Sequence, residues 1–87
     1  MTRGVLKKRV AATESKVKVV ESLIGTTKVS VNETQKMKLR SVQDRIKKLY
    51  MKIQNTLISE ETIQFVNELC QREEHMVDDL IMEMGLV

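Results

Sequence analysis

Apolar residues recur along the first part of the chain at alternating intervals of four and three. Six positions follow this spacing, and one of them is polar: Leu6, Val10, Thr13, Val17, Val20 and Ile24. Such spacing keeps side chains on one face of an α-helix that packs in a heptad repeat. It predicts a first helix over residues 3–24, and Gly25 predicts its end because glycine commonly terminates helices.

The middle of the chain has the same spacing, with basic residues between the apolar ones. The apolar positions are Leu39, Val42, Ile46, Leu49 and Ile53, followed by Thr56 or Leu57. Ser30 and Glu33 have the spacing of a capping box, in which each side chain accepts a hydrogen bond from the other residue's backbone N–H. We therefore expect a second helix over residues 31–58.

Ser59 predicts the start of a third helix, although neither Gly nor Pro marks the break. Its hydroxyl is a good N-cap, acidic residues follow it, and Ile58 and Ile63 occupy the two positions of a hydrophobic staple. The spaced positions that follow are Ile63, Val66, Cys70, Glu73, Val77, Leu80 and Met84. This helix is predicted over residues 60–84, with Gly85 as its stop. Without a turn at Ser59, helices two and three would merge into one rod.

Three helices of similar length with short connections are typical of a bundle of antiparallel neighbours. The predicted fold class is therefore all-α, an antiparallel hairpin of helices one and two plus a third helix, in one domain over residues 1–87. The arrangement is a three-helix bundle or is coiled-coil-like, and the third helix either folds back on the hairpin or reaches a second subunit. With 87 residues, one Phe, one Tyr and no Trp, the core is small, so we expect an oligomer, with a homodimer favoured.

The third helix has a wide apolar stripe, which we predict to be the intersubunit surface. Its residues are Phe65, Leu69, Met76, Val77, Leu80, Ile81 and Met84. Exposed apolar stripes on small helical domains commonly mark sites of protein association. The alternative is that these residues close the core of a monomer.

The formal net charge of +3 conceals an asymmetry. Residues 1–58 carry 14 Lys or Arg against four acids, whereas residues 59–87 carry one Arg against eight acids. The acidic third can lie on the basic part within one molecule, pair with it between molecules, or leave the basic part to meet a polyanion. The residues predicted to contact a polyanion are Lys7, Lys8, Arg9, Arg40, Arg45, Lys47, Lys48 and Lys52.

Residues that could carry chemistry are scarce. Cys70 and His75 are single residues of their types and lie five apart, which places them on different faces of a helix. This pattern predicts no metal site, no cofactor and no catalytic residues, and hence a protein that is not an enzyme. No apolar run suits a membrane span and no secretory signal is evident. We therefore expect an intracellular protein, cytoplasmic or nuclear, that does not bind membranes.

Residues 3–58 resemble one known family. Arg3-Gly4-Val5-Leu6-Lys7 opens a helix, Lys28-Val29-Ser30 makes a turn, and the segment from Leu39 to Gln54 returns as a helix rich in basic residues. This order is similar to the N-terminal helical region of Gag-like proteins of Bel/Pao-type retrotransposons, although Tyr50 stands where that family usually has Phe. The resemblance implies an intracellular helical module for Gag-type self-assembly, or a host protein that retains such a module for oligomerisation.

The leading hypothesis is a non-enzymatic helical module for self-association or protein interaction. One alternative is a basic-faced helical domain that binds nucleic acid through phosphates. Tyr50 is the single aromatic residue of the basic part, so stacking on unpaired bases has little support. The other alternative is an adaptor whose apolar stripe binds a helix of a different protein.

Overall fold

The structure, a computed structural model, describes residues 3–27, 30–55 and 57–85. That part of the chain forms three α-helices: α1 (Arg3–Thr27), α2 (Glu33–Asn55) and α3 (Glu60–Met84). All three pairs of helices are in contact, in a bundle that measures 43 × 19 × 17 Å. The predicted all-α fold is confirmed as a three-helix bundle, in which α3 folds back on the hairpin of α1 and α2.

The core consists of residues that the heptad spacing predicted, but not of all of them: Ile24 and Ile63 are half-buried, and Leu57 is 88% exposed. Each helix turns one narrow stripe inward because positions spaced three and four apart stay on one side of a helix. The buried residues are Leu6, Val10, Thr13, Val17 and Val20 on α1, Leu39, Val42, Ile46, Leu49 and Ile53 on α2, and Val66, Cys70, Glu73, Val77, Leu80 and Met84 on α3. Burial of these mostly aliphatic side chains is the main favourable contribution to folding.

The N-terminal cap of α2 lies two residues after the predicted one. Asn32 Oδ1 accepts a hydrogen bond from the backbone N–H of Gln35 at 2.8 Å, and Gln35 Oε1 accepts one from the backbone N–H of Asn32 at 3.2 Å. This capping box replaces the predicted pair that began at Ser30. Asparagine caps a helix as well as serine does, and a start at Glu33 leaves Val31 half-buried against the core.

The C-terminal ends of α1 and α2 also differ from the prediction. α1 continues through Gly25 to Thr27, because Gly25 does not adopt the positive φ that ends a helix and the Thr27 hydroxyl donates to the Leu23 carbonyl at 2.6 Å. That bond ties the Thr27 side chain to the last turn of α1. α2 ends at Asn55 instead of residue 58. The predicted turn residues Lys28 and Val29 and the spaced position Thr56 lie outside the described residues.

Both predicted ends of α3 are confirmed. Ser59 is the N-cap, and its hydroxyl accepts a hydrogen bond from the Thr62 backbone N–H at 3.2 Å. Ile58 and Ile63, the two staple positions, are half-buried against the core. Gly85 caps the other end with a φ of 69°, in the left-handed region that glycine adopts readily. Because the turn at Ser59 forms, α2 and α3 are separate helices.

Candidate functional site at the α2–α3 face

Ion pairs connect α3 to the two basic helices within the described ranges. Three of these are Arg9–Glu74, Lys16–Asp78 and Arg45–Glu73, with N···O distances of 2.8, 2.7 and 2.6 Å. In each pair, a carboxylate of α3 meets a cation of α1 or α2. The charge asymmetry of the sequence is therefore partly balanced within one molecule.

The pair between Arg45 and Glu73 is the most buried of the three. The Glu73 side chain is 3% exposed and accepts hydrogen bonds from Arg45 Nε at 2.6 Å and Nη2 at 2.9 Å. Such a two-point contact matches the planar guanidinium to the carboxylate. Arg45 itself is 40% exposed, and its Nη2 also lies 3.2 Å from Met76 Sδ. It thus closes one edge of the core while its outer side stays in water.

A second cluster of polar side chains, formed by Thr13 and Cys70, lies in the middle of the bundle. The Thr13 hydroxyl accepts a hydrogen bond from Arg9 Nη1 at 3.1 Å and donates one to the Arg9 carbonyl at 3.3 Å. Burial raises the pKa of the Cys70 thiol, with a hydrogen bond to Thr13 acting weakly in the opposite direction. Cys70 is therefore held as a neutral thiol, which is a poor nucleophile and a poor metal ligand. Within the described ranges, no group of three His, Cys, Asp or Glu residues is placed to hold a metal ion.

An apolar groove with a basic rim lies between α2 and α3. Its lining consists of Phe65 and Leu69 of α3 with Leu49, Arg45, Lys48 and Lys52 of α2. Phe65 is 46% exposed, although it is the largest apolar side chain of α3. The Lys52 Nζ lies 4.6 Å from the centre of the Phe65 ring, a cation–π distance. This groove is called the α2–α3 face, together with the partly or fully exposed side chains that continue it along each helix: Lys38, Arg45 and Lys52 on α2, and Glu61, Arg72, Met76 and Glu83 on α3.

The seven residues predicted at an intersubunit surface fall into two groups. Three are buried in the core of a single chain: Val77, Leu80 and Met84. They continue the inward-facing stripe, so a second chain does not reach them in this fold. The other four are at least partly accessible: Phe65, Leu69, Met76 and Ile81. The first two line the groove and Met76 touches its rim through Arg45, whereas Ile81 lies beside Asp78 and Met82.

The eight residues predicted to contact a polyanion do not form one surface. The structure brings Arg45, Lys48 and Lys52 together on the groove rim, but it pairs Arg9 and Arg45 with carboxylates. Lys7 Nζ lies 5.8 Å from the centre of the Tyr50 ring. Lys47 lines a different groove, between α1 and α2, whose acidic members are Glu14, Glu21 and Asp44. Acidic side chains therefore interrupt the basic residues.

Sequence reasoning missed two features of this face. It placed Glu73 on the inward stripe but gave it no partner. A carboxylate at a core position needs a cation within reach, so this position could have signalled the ion pair. It also treated the apolar and the basic candidates as separate alternatives, while the structure brings Phe65 and Leu69 together with Lys48 and Lys52.

Comparison with known proteins adds no relative. The chain matches no protein-family model, and neither a curated protein nor a solved structure shows significant similarity to it. Among the described helices, none is long and apolar enough to cross a membrane. Function is therefore inferred from the α2–α3 face itself.

Proposed function

We propose that this chain is a non-enzymatic helical module that self-associates through the α2–α3 face. The observation that carries the proposal is the 46% exposure of Phe65 in an apolar groove. Covering apolar surface gains about 25 cal/mol per Å². A second protein surface over Phe65 and Leu69 would gain this free energy, which the folded monomer leaves unused.

The arrangement of the α2–α3 face is typical of association surfaces. Aromatic residues are enriched at the centres of protein interfaces, where polar residues surround them. Here Phe65 and Leu69, in the N-terminal half of α3, form the apolar part of the groove on that helix, with Arg45, Lys48 and Lys52 as its basic members. Thr13 and Cys70, by contrast, are buried in the middle of the bundle.

The outline of the bundle is large enough for an interface between two copies. One long side, which contains the α2–α3 face, measures 43 by 19 Å, and this outline of roughly 800 Å² is an upper limit that matches what each partner contributes to an interface of standard size. Self-association is also what the resemblance of residues 3–58 to Bel/Pao-type Gag-like proteins implies.

Light scattering coupled to size exclusion, over a hundredfold range of concentration, tests the proposal. We expect the unmodified chain to reach twice its 10.0 kDa mass and Phe65→Asp to remain monomeric. Val19→Asp is the matched control, because it adds the same charge at a 57% exposed apolar residue of α1, away from the groove. Circular dichroism verifies that both variants keep their helices.

A monomer at every concentration of the unmodified chain would refute self-association. Equal loss of the dimer in Phe65→Asp and Val19→Asp would instead refute the assignment of the contact to the α2–α3 face. If the chain is monomeric and binds duplex DNA with an affinity that falls steeply with salt, the nucleic-acid alternative is favoured.

A further inference from the structure

Helices α2 and α3 carry unpaired charges of opposite sign. In the described part of the chain, five cations of α2 make no ion pair: Lys38, Arg40, Lys47, Lys48 and Lys52. Five carboxylates of α3 likewise make none: Glu60, Glu61, Glu68, Asp79 and Glu83. One molecule thus pairs only part of its charge. Apart from Asp44 on α2 and Arg72 on α3, the described charges left unpaired are positive on α2 and negative on α3.

Several of the α2 cations lie on the α2–α3 face. Lys48 and Lys52 line the groove directly. Lys38 precedes Arg45 by seven residues, as Arg45 precedes Lys52, and residues seven apart lie on the same side of a packed helix. Lys38, Lys48 and Lys52 are exposed, and Lys52 also contacts the Phe65 ring. The α2 side of the face is therefore a basic column.

The α3 side of the face is mainly acidic beyond its apolar residues, although Arg72, seven residues after Phe65, adds one cation to it. Glu61 lines an adjoining pocket together with Phe65 and Lys52, next to the Phe65 end of the groove. Glu83 follows Met76 by seven residues, so it continues the side of α3 that borders Arg45. Both glutamates are exposed. They stand about 33 Å apart along α3 at 1.5 Å per residue, near the two ends of the face.

We infer that the partner on the α2–α3 face is a second copy of this chain, related by a two-fold axis, with α2 of each copy against α3 of the other. This inference rests on the proposed function. A two-fold interface brings the same patch of both subunits together, so a face that is basic on one side and acidic on the other is complementary to itself. Each copy then places its basic column beside the partner's acidic one, while the two Phe65 rings cover the apolar grooves.

The charges also determine which partner is accepted. Complementary charges favour the correct partner and register, and like charges in contact disfavour wrong ones. A copy whose α2 cations are reversed would meet carboxylates on both sides of the axis. A copy whose α3 acids are reversed would meet cations on both sides. These two altered copies are complementary to each other, although neither is complementary to itself.

A charge-reversal experiment tests this pairing. The first variant is Lys38→Glu with Lys52→Glu, and the second is Glu61→Lys with Glu83→Lys; all four positions are exposed and make no ion pair within the described residues. We expect the dissociation constant of each variant alone to rise about tenfold or more. Mixed in equal amounts, they should form a one-to-one heterodimer with an affinity near that of the unmodified chain.

The matched control reverses two other α2 cations, as Arg40→Glu with Lys47→Glu. These residues line grooves on the α1 side of α2 and lie outside the α2–α3 face. This variant carries the same change in net charge as the first variant, and it should dimerise like the unmodified chain. Circular dichroism melting of each variant verifies that the bundle remains folded.

The outcomes separate this inference from the proposed function. If the unmodified chain dimerises but the mixture of variants stays monomeric, the pairing of α2 with the partner's α3 is wrong and self-association stands. The same holds if either variant dimerises alone as tightly as the control. If the unmodified chain is monomeric throughout, both the pairing and the proposed function are refuted.

Discussion

The buried ion pair between Glu73 and Arg45 leads to a prediction about the stability of the bundle. Replacing Arg45 by Met retains an aliphatic side chain of similar length but leaves the Glu73 carboxylate, 3% exposed, without its two hydrogen bonds. Removing one partner of a fully buried pair costs about 3–5 kcal/mol. Because Arg45 is 40% exposed and water can approach the pair, we expect Arg45→Met to cost about 2–4 kcal/mol.

The opposite substitution should behave differently. Glu73→Leu removes the charge from the core, and Arg45 can then turn its guanidinium outward into water. We expect the free energy of unfolding to stay within about 1 kcal/mol of the original, because apolar replacement of a buried charge is often neutral or stabilising. The double variant should lie in the same range, so the coupling energy of the pair is about 2 kcal/mol or more.

The pair between Lys16 and Asp78 is a control with nearly the same N···O distance, although it is a single ammonium contact instead of a two-point guanidinium contact. Its N···O distance is 2.7 Å, against 2.6 Å for the buried pair, but its side chains are 36% and 52% exposed. Exposed ion pairs contribute about 0–1 kcal/mol because water screens the attraction. The same double-mutant cycle on Lys16 and Asp78 should therefore give a coupling energy below about 1 kcal/mol.

Urea unfolding followed by circular dichroism at 222 nm measures these differences. The protein concentration is kept low enough that every variant is monomeric, because Arg45 lies on the proposed association face. A chain of this size has a free energy of unfolding of about 4–13 kcal/mol, so a loss of about 3 kcal/mol shifts the midpoint strongly. An equal loss in the free energy of unfolding for Arg45→Met and Glu73→Leu would contradict the prediction that only the first substitution leaves a buried charge without a partner. Equal coupling energies in the two cycles would show that burial does not control the strength of these pairs.

Two further predictions concern glycine positions and the thiol. Gly25→Ala should raise the free energy of unfolding by about 0.5–1 kcal/mol, because Gly25 lies within α1 and no atom is near a new Cβ. Gly85→Ala should lower the free energy of unfolding by about 1 kcal/mol, because Gly85 has a φ of 69°. Chemical denaturation that gives the two variants the same stability would contradict this prediction. Cys70, 1% exposed, should react with iodoacetamide at least about tenfold more slowly in the folded chain than in urea. Folding raises the pKa of this thiol. Its contribution to the free energy of unfolding should therefore be fully present below the pKa of the unfolded thiol, about 8.5, and decline as the pH rises above that value. Equal rates of reaction in the folded and unfolded chain, or a free energy of unfolding that increases with pH in this range, would show that the thiol is not buried.

The ends of the helices show how far local pattern suffices. Ser59 and Gly85 were predicted correctly, because each stands alone as the best cap at its end of α3. At the start of α2, Ser30 and Asn32 are both good caps two residues apart, and nothing nearby in the chain ranks them. Gly25 was predicted to end α1, but a glycine tolerates a helical φ as well as a positive one.

The candidate site was predicted only in pieces. The apolar residues of α3 and the basic residues of α2 were both recognised as candidates for contact. The heptad spacing placed Leu80 on the inward stripe and Phe65 outside it, but it could not predict what lies beside Phe65, because that depends on how α2 is rotated against α3. The structure buries Leu80 and leaves Phe65 46% exposed beside Lys52.

The sequence by itself determined that this protein is three helices, and it determined which side of each helix faces the core. That information is local, since the spacing of apolar residues follows the 3.6-residue turn of a single helix. Only the tertiary structure decided that Glu73 meets Arg45 and that Phe65 shares a groove with Lys48. Contacts between helices depend on how far each helix is rotated and shifted against its neighbours, and the spacing within one helix does not specify that registry.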